Sequence, residues 1–545
     1  MSEQGFQGSF RQSMTWLHTW VGLVLSLVLY FMFITGSFGY FNAEIDHWMK
    51  PEQVRMASLP STQTLAETGL HYLQREAPDA KEYWVTLPSG RHSNSLTVYA
   101  ELRAPNAAGE GYVYQQLNPI TGELASAVRE TGGGDALYAM HYALHYMPYE
   151  VAIYIVGVAT MFMFIALLTG IVIHKKIFVD FFTLRFNKGQ RSWLDGHNMS
   201  SVLALPFLLM ITYSGLIFYT FDYLPSIKVL TMGAGEEVEE AMEAHLYPGS
   251  DSIELTGEKA SLVNLSAPLA AAESRWPHTP IHYVNVSNPG DSSAVLRFMP
   301  KSSGVSRGSE AMAFNGVTGA LMSDPPTMPA SAVFSDAMMA LHEGHFANIW
   351  LRWLYFVSGL VGAAMIATGL VLWAKKRRQR LGKRGTAGFG LVLIERSNLG
   401  IVVGLPLGVV AYFWANRVLP VDMVGRGEWE MHCLFLVWLA SFFHAGLRDL
   451  ACAWREQVGL LAALSISLPL LNAVTTDVHL VATLREGDWV RAGFDLTAIA
   501  FGVALVAVWR VLPGSSSAAV SRRTRRTLRK EADNLAAAAN EKVNV

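Results

Sequence analysis

Four apolar runs dominate this chain: Trp16–Phe41, Val151–Ile173, Met199–Tyr219 and Trp353–Trp373. Each is long enough to cross a bilayer core, which takes roughly 20 predominantly apolar residues. Lipid offers the backbone no hydrogen bonds, so runs of this kind fold as helices. Four weaker runs follow, at about 399–415, 431–447, 458–474 and 494–511. The chain is 51% hydrophobic and only 16% charged, whereas soluble domains carry about a quarter charged residues. These features predict an integral membrane α-helical protein with eight spans. The first run is too long to be a removed signal peptide and lacks both a preceding positive cluster and a following cleavage site, so it reads as a retained helix.

Basic residues set the orientation. Lys175, Lys176, Arg185, Lys188 and Arg191 lie between the second and third spans, seven Lys/Arg lie between Lys375 and Arg384, and the tail carries "SRRTRRTLRK". Eight spans put all three clusters on one side, which predicts cytoplasmic termini. The expected division is 10–41 (first span), 42–146 (outward domain), 147–175 (second span), 176–198 (cytoplasmic link) and 199–221 (third span). It continues as 222–344 (outward domain), 345–374 (fourth span), 375–398 (basic link), 399–512 (C-terminal four-helix membrane region) and 513–545 (basic tail). The outward insertions contain alternating stretches such as "SLTVYAEL" and "AVLRFMP" and the turn sequences "NPITGEL" and "FNGVTGAL", which read as small α+β domains.

The two halves repeat. His18 precedes Gly36 by 18 residues, and His197 precedes Gly215 by 18. Gly122 precedes His145 by 23 residues, and Gly319 precedes His342 by 23. The second and fourth spans end alike, in "LLTGIVIHKK" and "IATGLVLWAKK". This is a duplicated helix–domain–helix unit. Approximate two-fold association would bring His18 to His197 at the cytoplasmic end and His145 to His342 at the outward end. Facing imidazoles across a four-helix core are what bis-histidine ligation of b-type haem requires, with about two haems per chain.

A boundary histidine can also simply reach the headgroups, and it is the repeat that favours ligation for these four. His174 has no counterpart and reads as a further candidate, a hydrogen-bond partner of a haem propionate or an interface residue. His141 lies four residues before His145 and His345 three after His342; either could be the ligand or line the outward site. Such spacings can also hold zinc. His432, His444, His479, Asp477 and Asp495 lack repeat partners and read as structural. If the pairs sit at the extreme ends of the second span, the 29 residues from His145 to His174 correspond to about 43 Å, a long electron-transfer gap.

Other chemistries find no support. Net charge is −2, which gives no field for nucleic acid. The two cysteines, Cys433 and Cys452, exclude a disulfide framework and CxxC chemistry. No Walker A sequence appears and no GxGxxG follows a strand, so electrons must come from elsewhere.

The passages "WLHTWVGL…ITGSFGYFNAEID", "NPITGEL", "ALHY…LLTGIVIHKKIFVDFFTLR", "SWLDGHNMSSVLALPFLLMITYSGL" and "ALHEGHFANIWLRWLYFVSGLVGAAMIATGLVLW" resemble the PepSY-associated transmembrane family over about residues 10–380. The remainder is similar to longer members with extra C-terminal helices. The resemblance implies a bacterial inner-membrane protein with periplasmic PepSY-like domains that reduces ferric siderophores or other Fe(III) chelates through b-type haems. It places His18, His197, His145 and His342 on the family's histidine motifs, and His174 on the "HKK" position. Its expected partners are the chelate, membrane lipid and a cytoplasmic or quinol electron donor. The rival expectation is a non-enzymatic membrane regulator whose PepSY-like domains bind a periplasmic peptidase or peptide.

Overall fold

The computed structural model describes residues 9–53, 59–88, 95–105, 109–174, 185, 188–223, 233, 235, 253–301, 305, 311–325, 329–381 and 386–514. Most of the basic link after the second span, Lys383 and Arg384, and the basic tail lie outside the described residues.

The first span is broken. Helices α1 (Phe10–Val24) and α2 (Ser26–Gly39) meet at 64°. Leu25 leaves the helical well with ψ near −2°, and the Ser26 hydroxyl bonds back to the Leu23 carbonyl, a serine-centred kink. A short helix α3 (Asn42–Met49) follows. The next spans are α6 (Tyr149–Ile173), α7 (Gln190–Ile217) and α10 (Ile349–Arg380). Two shorter helices, α5 (Gly133–Ala143) and α9 (Ala330–Glu343), lead into α6 and α10. The four spans form a ring in which each packs on the next, with Leu29, Met163, Leu208, Ile366 and Leu370 buried in its core.

The C-terminal region also supplies four spans, but it starts earlier than the sequence suggests. Helix α11 (Phe389–Leu399) runs through a π turn (Gly400–Gly404) into α12 (Leu405–Val418). The widened turn frees carbonyls, and Trp438 Nε1 donates to Gly400 O at 2.9 Å while Tyr30 OH donates to Val402 O at 2.9 Å. Helices α13 (Arg426–Leu447), α14 (Leu450–Thr475) and α16 (Trp489–Val511) complete the set, with short α15 (Leu480–Glu486) before the last. Among the described residues, seven helices pass as spans on length and composition, and counting the bent α1–α2 pair as one span gives eight.

Among the described residues, each insertion lays a helix, α4 (Thr62–Glu76) or α8 (Ser266–Arg275), over strands: β1 (Ala80–Thr86), β2 (Leu96–Leu102) and β3 (Tyr112–Leu117), then β4 (Ile281–Ser287), β5 (Val295–Pro300), β6 (Met312–Asn315) and β7 (Leu321–Ser323). They do not stand apart. β1 pairs antiparallel with β4, giving one seven-stranded sheet of order β3-β2-β1-β4-β5-β6-β7. The Trp84–Asn285 pair lies at the middle of this joint, and each half has a register shift after the first residue of its leading strand, Ala80 or Ile281. Period-two patterning puts Val85, Val98, Val284, Val286, Leu296 and Phe298 under the helices, all fully buried. The joint pairs β1 with β4, so backbone groups that would otherwise be an open edge of each half-sheet are hydrogen-bonded to the other half.

Both turn sequences fold as read. Asn118 Oδ1 accepts from Ile120 and Thr121 N–H, and Asn315 Oδ1 from Val317 and Thr318 N–H. Gly122 and Gly319 close these turns at φ +72° and +74°, a region suited to glycine.

Candidate functional site

Two histidine pairs form inside the four-helix ring. At the end away from the sheet, His18 on α1 faces His197 on α7 with ring centroids 6.4 Å apart and planes at 70°. At the sheet end, His342 on α9 faces His141 on α5, with centroids 6.3 Å apart and planes at 18°. The sequence-based partner for His342 was His145, and this is a correction. Helix α5 ends at a left-handed cap, Leu144 (φ 45°), and α9 ends at the equivalent Gly344 (φ 65°). His141 and His342 both lie inside the last helical turn, whereas His145 and His345 both follow the cap. The repeated "ALH" string is therefore offset by about one helical turn from the structural repeat.

All four imidazoles are held by Nδ1. His18 Nδ1 bonds to Ala166 O at 2.9 Å, His197 Nδ1 to Met365 O at 2.9 Å, and His141 Nδ1 to Tyr138 O. A carbonyl only accepts, so Nδ1 carries the proton and Nε2 the lone pair. His342 Nδ1 lies 3.1 Å from Ser214 Oγ, whose own proton goes to Met210 O. Among the described residues, Nε2 of none of the four makes a hydrogen bond. At the sheet end, burial holds both rings neutral: it pushes His342 down to about 3, with His141 adding to the effect, and it lowers His141 as well.

Each ring rests on a glycine of a neighbouring helix. A Cβ would lie 3.5 Å from His141 at Gly36, 3.4 Å from His18 at Gly170, 3.2 Å from His197 at Gly369 and 2.9 Å from His342 at Gly215. The sequence showed these glycines only as markers of the repeat. Their common role, admitting an imidazole between helices, needed the fold. The sheet-end pair borders a cavity of about 360 Å³ also lined by Tyr40, Tyr142, Tyr149 and Tyr219. On α7 the two layers, His197 and the Gly215 against His342, are 18 residues apart, about 27 Å, well under the 43 Å of the sequence-based placement.

The other candidates have different surroundings. His145 stacks on Phe435 (5.6 Å, 15°), with Nε2 3.5 Å from Glu428. His345 Nδ1 lies 3.5 Å from Glu343. His174 ends α6, and its Nε2 accepts from Asn198 Nδ2 at 3.1 Å, beside His197. Asp495 accepts from the indole of buried Trp48 at 2.8 Å, and His444 bonds Glu456 at 2.9 Å.

The pairs fit a haem. With a metal–imidazole bond of about 2 Å on each side, two trans imidazole centroids stand roughly 6 Å apart, as both pairs do. The Nδ1 bonds fix the rings as second-shell contacts do at metal sites. Among the described residues no group of three or more His, Cys, Asp or Glu side chains is arranged to hold a metal ion.

A ring of membrane helices carrying two opposed histidine pairs, capped on one side by a joined sheet, defines a multi-pass membrane protein built from a duplicated unit. The family model for the PepSY-associated TM region matches residues 15–376, and the chain belongs to that family. It is also similar to a Pseudomonas aeruginosa protein named "Uncharacterized protein PA4219", 24% identical over 389 residues covering 68% of this chain and 93% of that protein.

Proposed function

We propose that this chain is a haem-dependent oxidoreductase of the bacterial inner membrane. It carries electrons through b-type haems to a ferric siderophore or other Fe(III) chelate at the periplasmic sheet side and releases Fe(II) for uptake. The observation that carries this reading is the pair of opposed imidazoles at each layer, 6.4 and 6.3 Å apart, with Nδ1 engaged and Nε2 turned to no other partner.

His18 and His197 would hold one haem, and His141 and His342 the other. Bound haem supplies a one-electron ferric/ferrous couple. The chain's part is to hold and tune: the Ala166 and Met365 carbonyls and the Ser214 hydroxyl orient the rings. Tyr142, Tyr149 and Tyr219 form an aromatic mouth to the sheet-end cavity, with Tyr149 and Tyr219 hydroxyls 2.7 Å apart. Oxygen-rich chelators hold hard Fe(III) much better than Fe(II), so reduction there would loosen the metal.

A regulator that binds a peptidase or peptide has one supporting observation. The helix-free face of the sheet carries the cross-strand row Trp84–Tyr99–Tyr114, and Tyr112 and Tyr114 are about half exposed. That reading gives the histidine pairs no task. Absorbance of purified protein before and after dithionite, with haem counted per chain, separates the two: sharp reduced bands at about two haems per chain support the reductase, and folded protein without haem supports the regulator.

A further inference from the structure

Between α2 and α10 on one side and α12, α14 and α16 on the other runs a groove of about 1520 Å³. Along α10 its lining reaches from Arg352 to Arg378, 26 residues, about 39 Å. That matches a bilayer with its headgroup regions, about 40 Å. The walls are apolar, with Phe38, Phe41, Phe356, Phe413, Phe494 and Phe501 among the lining residues. Helix α2 and the residues just after it lie between the groove and the sheet-end cavity: Ile34, Phe38 and Phe41 line the groove, while Gly36 and Tyr40 line the cavity with His141 and His342.

One polar feature lines the sheet end. Arg352 Nη1 lies against Glu44 Oε1 at 2.5 Å, with side chains 9% and 16% exposed, and the guanidinium stands 5.2 Å over the Phe41 ring. The buried Nε of Arg352 has no hydrogen-bond acceptor among the described residues. A buried donor without an acceptor is costly, so this end is complementary to an oxygen acceptor. The Arg352 charge is already balanced by Glu44, which disfavours an anionic phosphate and favours a neutral head. A flat neutral ring bearing oxygens, on a long apolar tail, meets both demands.

We propose that this groove binds a membrane quinol, its ring at Arg352 and Glu44 and its isoprenoid tail along the phenylalanines, and that this quinol is the electron donor. The proposal rests on the reductase reading. Arg352 Nε–H donates to one quinol oxygen and the Glu44 carboxylate takes a phenolic proton. Oxidation to quinone releases two electrons and two protons; two Fe(III) complexes each take one electron, and the protons leave on the sheet side.

The test uses the full chain in nanodiscs. Gly493 lines the groove, and a Cβ there would meet nothing within 4 Å, so Gly493→Trp fills the groove without forcing a clash at its root. Extracted quinone is counted per chain by mass spectrometry, and haem reduction by a short-tail quinol is timed against dithionite. The expected result is about one quinone per wild-type chain, at least tenfold less in Gly493→Trp with haem content unchanged, and at least tenfold slower quinol reduction in Arg352→Gln. Wild type without quinone, or holding phospholipid in its place, overturns the proposal, as does unchanged retention in Gly493→Trp. Quinone bound while quinol leaves the haems oxidised overturns the donor role. Wild type without haem overturns the reductase reading instead, and the quinone count still reports on the groove.

Discussion

The Cε1 of His342 stands where Gly215 leaves no room for a side chain: a Cβ on Gly215 would come within 2.9 Å of it. At Gly36, against the partner His141, the corresponding distance is 3.5 Å, an ordinary contact. The two glycines are equivalent in the repeat, yet only at Gly215 would a side chain force the facing imidazole to move. Gly215→Ala is therefore expected to displace His342 and lower haem from about two to about one per chain, while Gly36→Ala retains both. Haem counting on the two purified variants checks this; equal retention would mean the His342 ring shifts freely.

The exchange of His145 for His141 gives a second prediction. His141→Ala is expected to remove one haem and shift the reduced α band, because His342 then has no opposed imidazole. His145→Ala loses its stack on Phe435, its edge contact with Tyr146 and its approach to Glu428, and should keep about two haems. Loss of haem in His145→Ala alone would restore the sequence-based pairing.

That exchange also marks what the sequence could and could not convey. The spans, the turns at Asn118 and Asn315 and the duplication were legible because each depends on local pattern: apolar length, Asn and Gly turn chemistry, fixed spacing. His18 and His197 were legible because their repeat spacing contains no insertion. At the other layer the α5 cap Leu144 follows Gly122 by 22 residues and the α9 cap Gly344 follows Gly319 by 25, a three-residue insertion. Matching the "ALH" strings hides that insertion, and only the backbone cap reveals it. The β1–β4 joint was not legible either, since strand pairing between segments some 200 residues apart leaves no local mark. Nor was the network that docks the C-terminal helices, because Arg426 and Glu430 look like ordinary boundary charges.

That network yields a third prediction. Arg426 and Glu430 have fully buried side chains and pair directly; Glu430 also accepts from Thr131 Oγ1, Gly132 N and Asn416 Nδ2. Removing one charge leaves the other buried and unpaired, which costs about 3–5 kcal/mol. Glu430→Ala is expected to lower the unfolding midpoint strongly. Met at both 426 and 430 should be closer to wild type than Glu430→Ala, because no uncompensated charge remains. Tryptophan fluorescence during heating in detergent reads both, and equal midpoints for Glu430→Ala and wild type would remove the pair from the docking account.

The sheet supplies the fourth prediction, in pH. His282 lies in β4, the strand that joins the halves. Burial, with a smaller contribution from Lys301, pushes its imidazole down to about 4. The folded ring is therefore neutral through the range in which the unfolded ring, titrating near 6.5, takes up a proton. Its contribution to stability is intact above pH 6.5, declines as pH falls toward 4 and levels off below that. The slope is on the order of 1 kcal/mol per pH unit at most. The Asp291 carboxyl accepts from Ser293 and Thr256, which hold it below the usual carboxylate range, so its contribution is lost only below about pH 4. Midpoints measured from pH 7 to 3 should fall in two windows for wild type. His282→Asn should flatten the upper window alone, and Asp291→Asn the lower one alone. A His282→Asn profile parallel to wild type between pH 6.5 and 4 would show that the imidazole is protonated equally in both states.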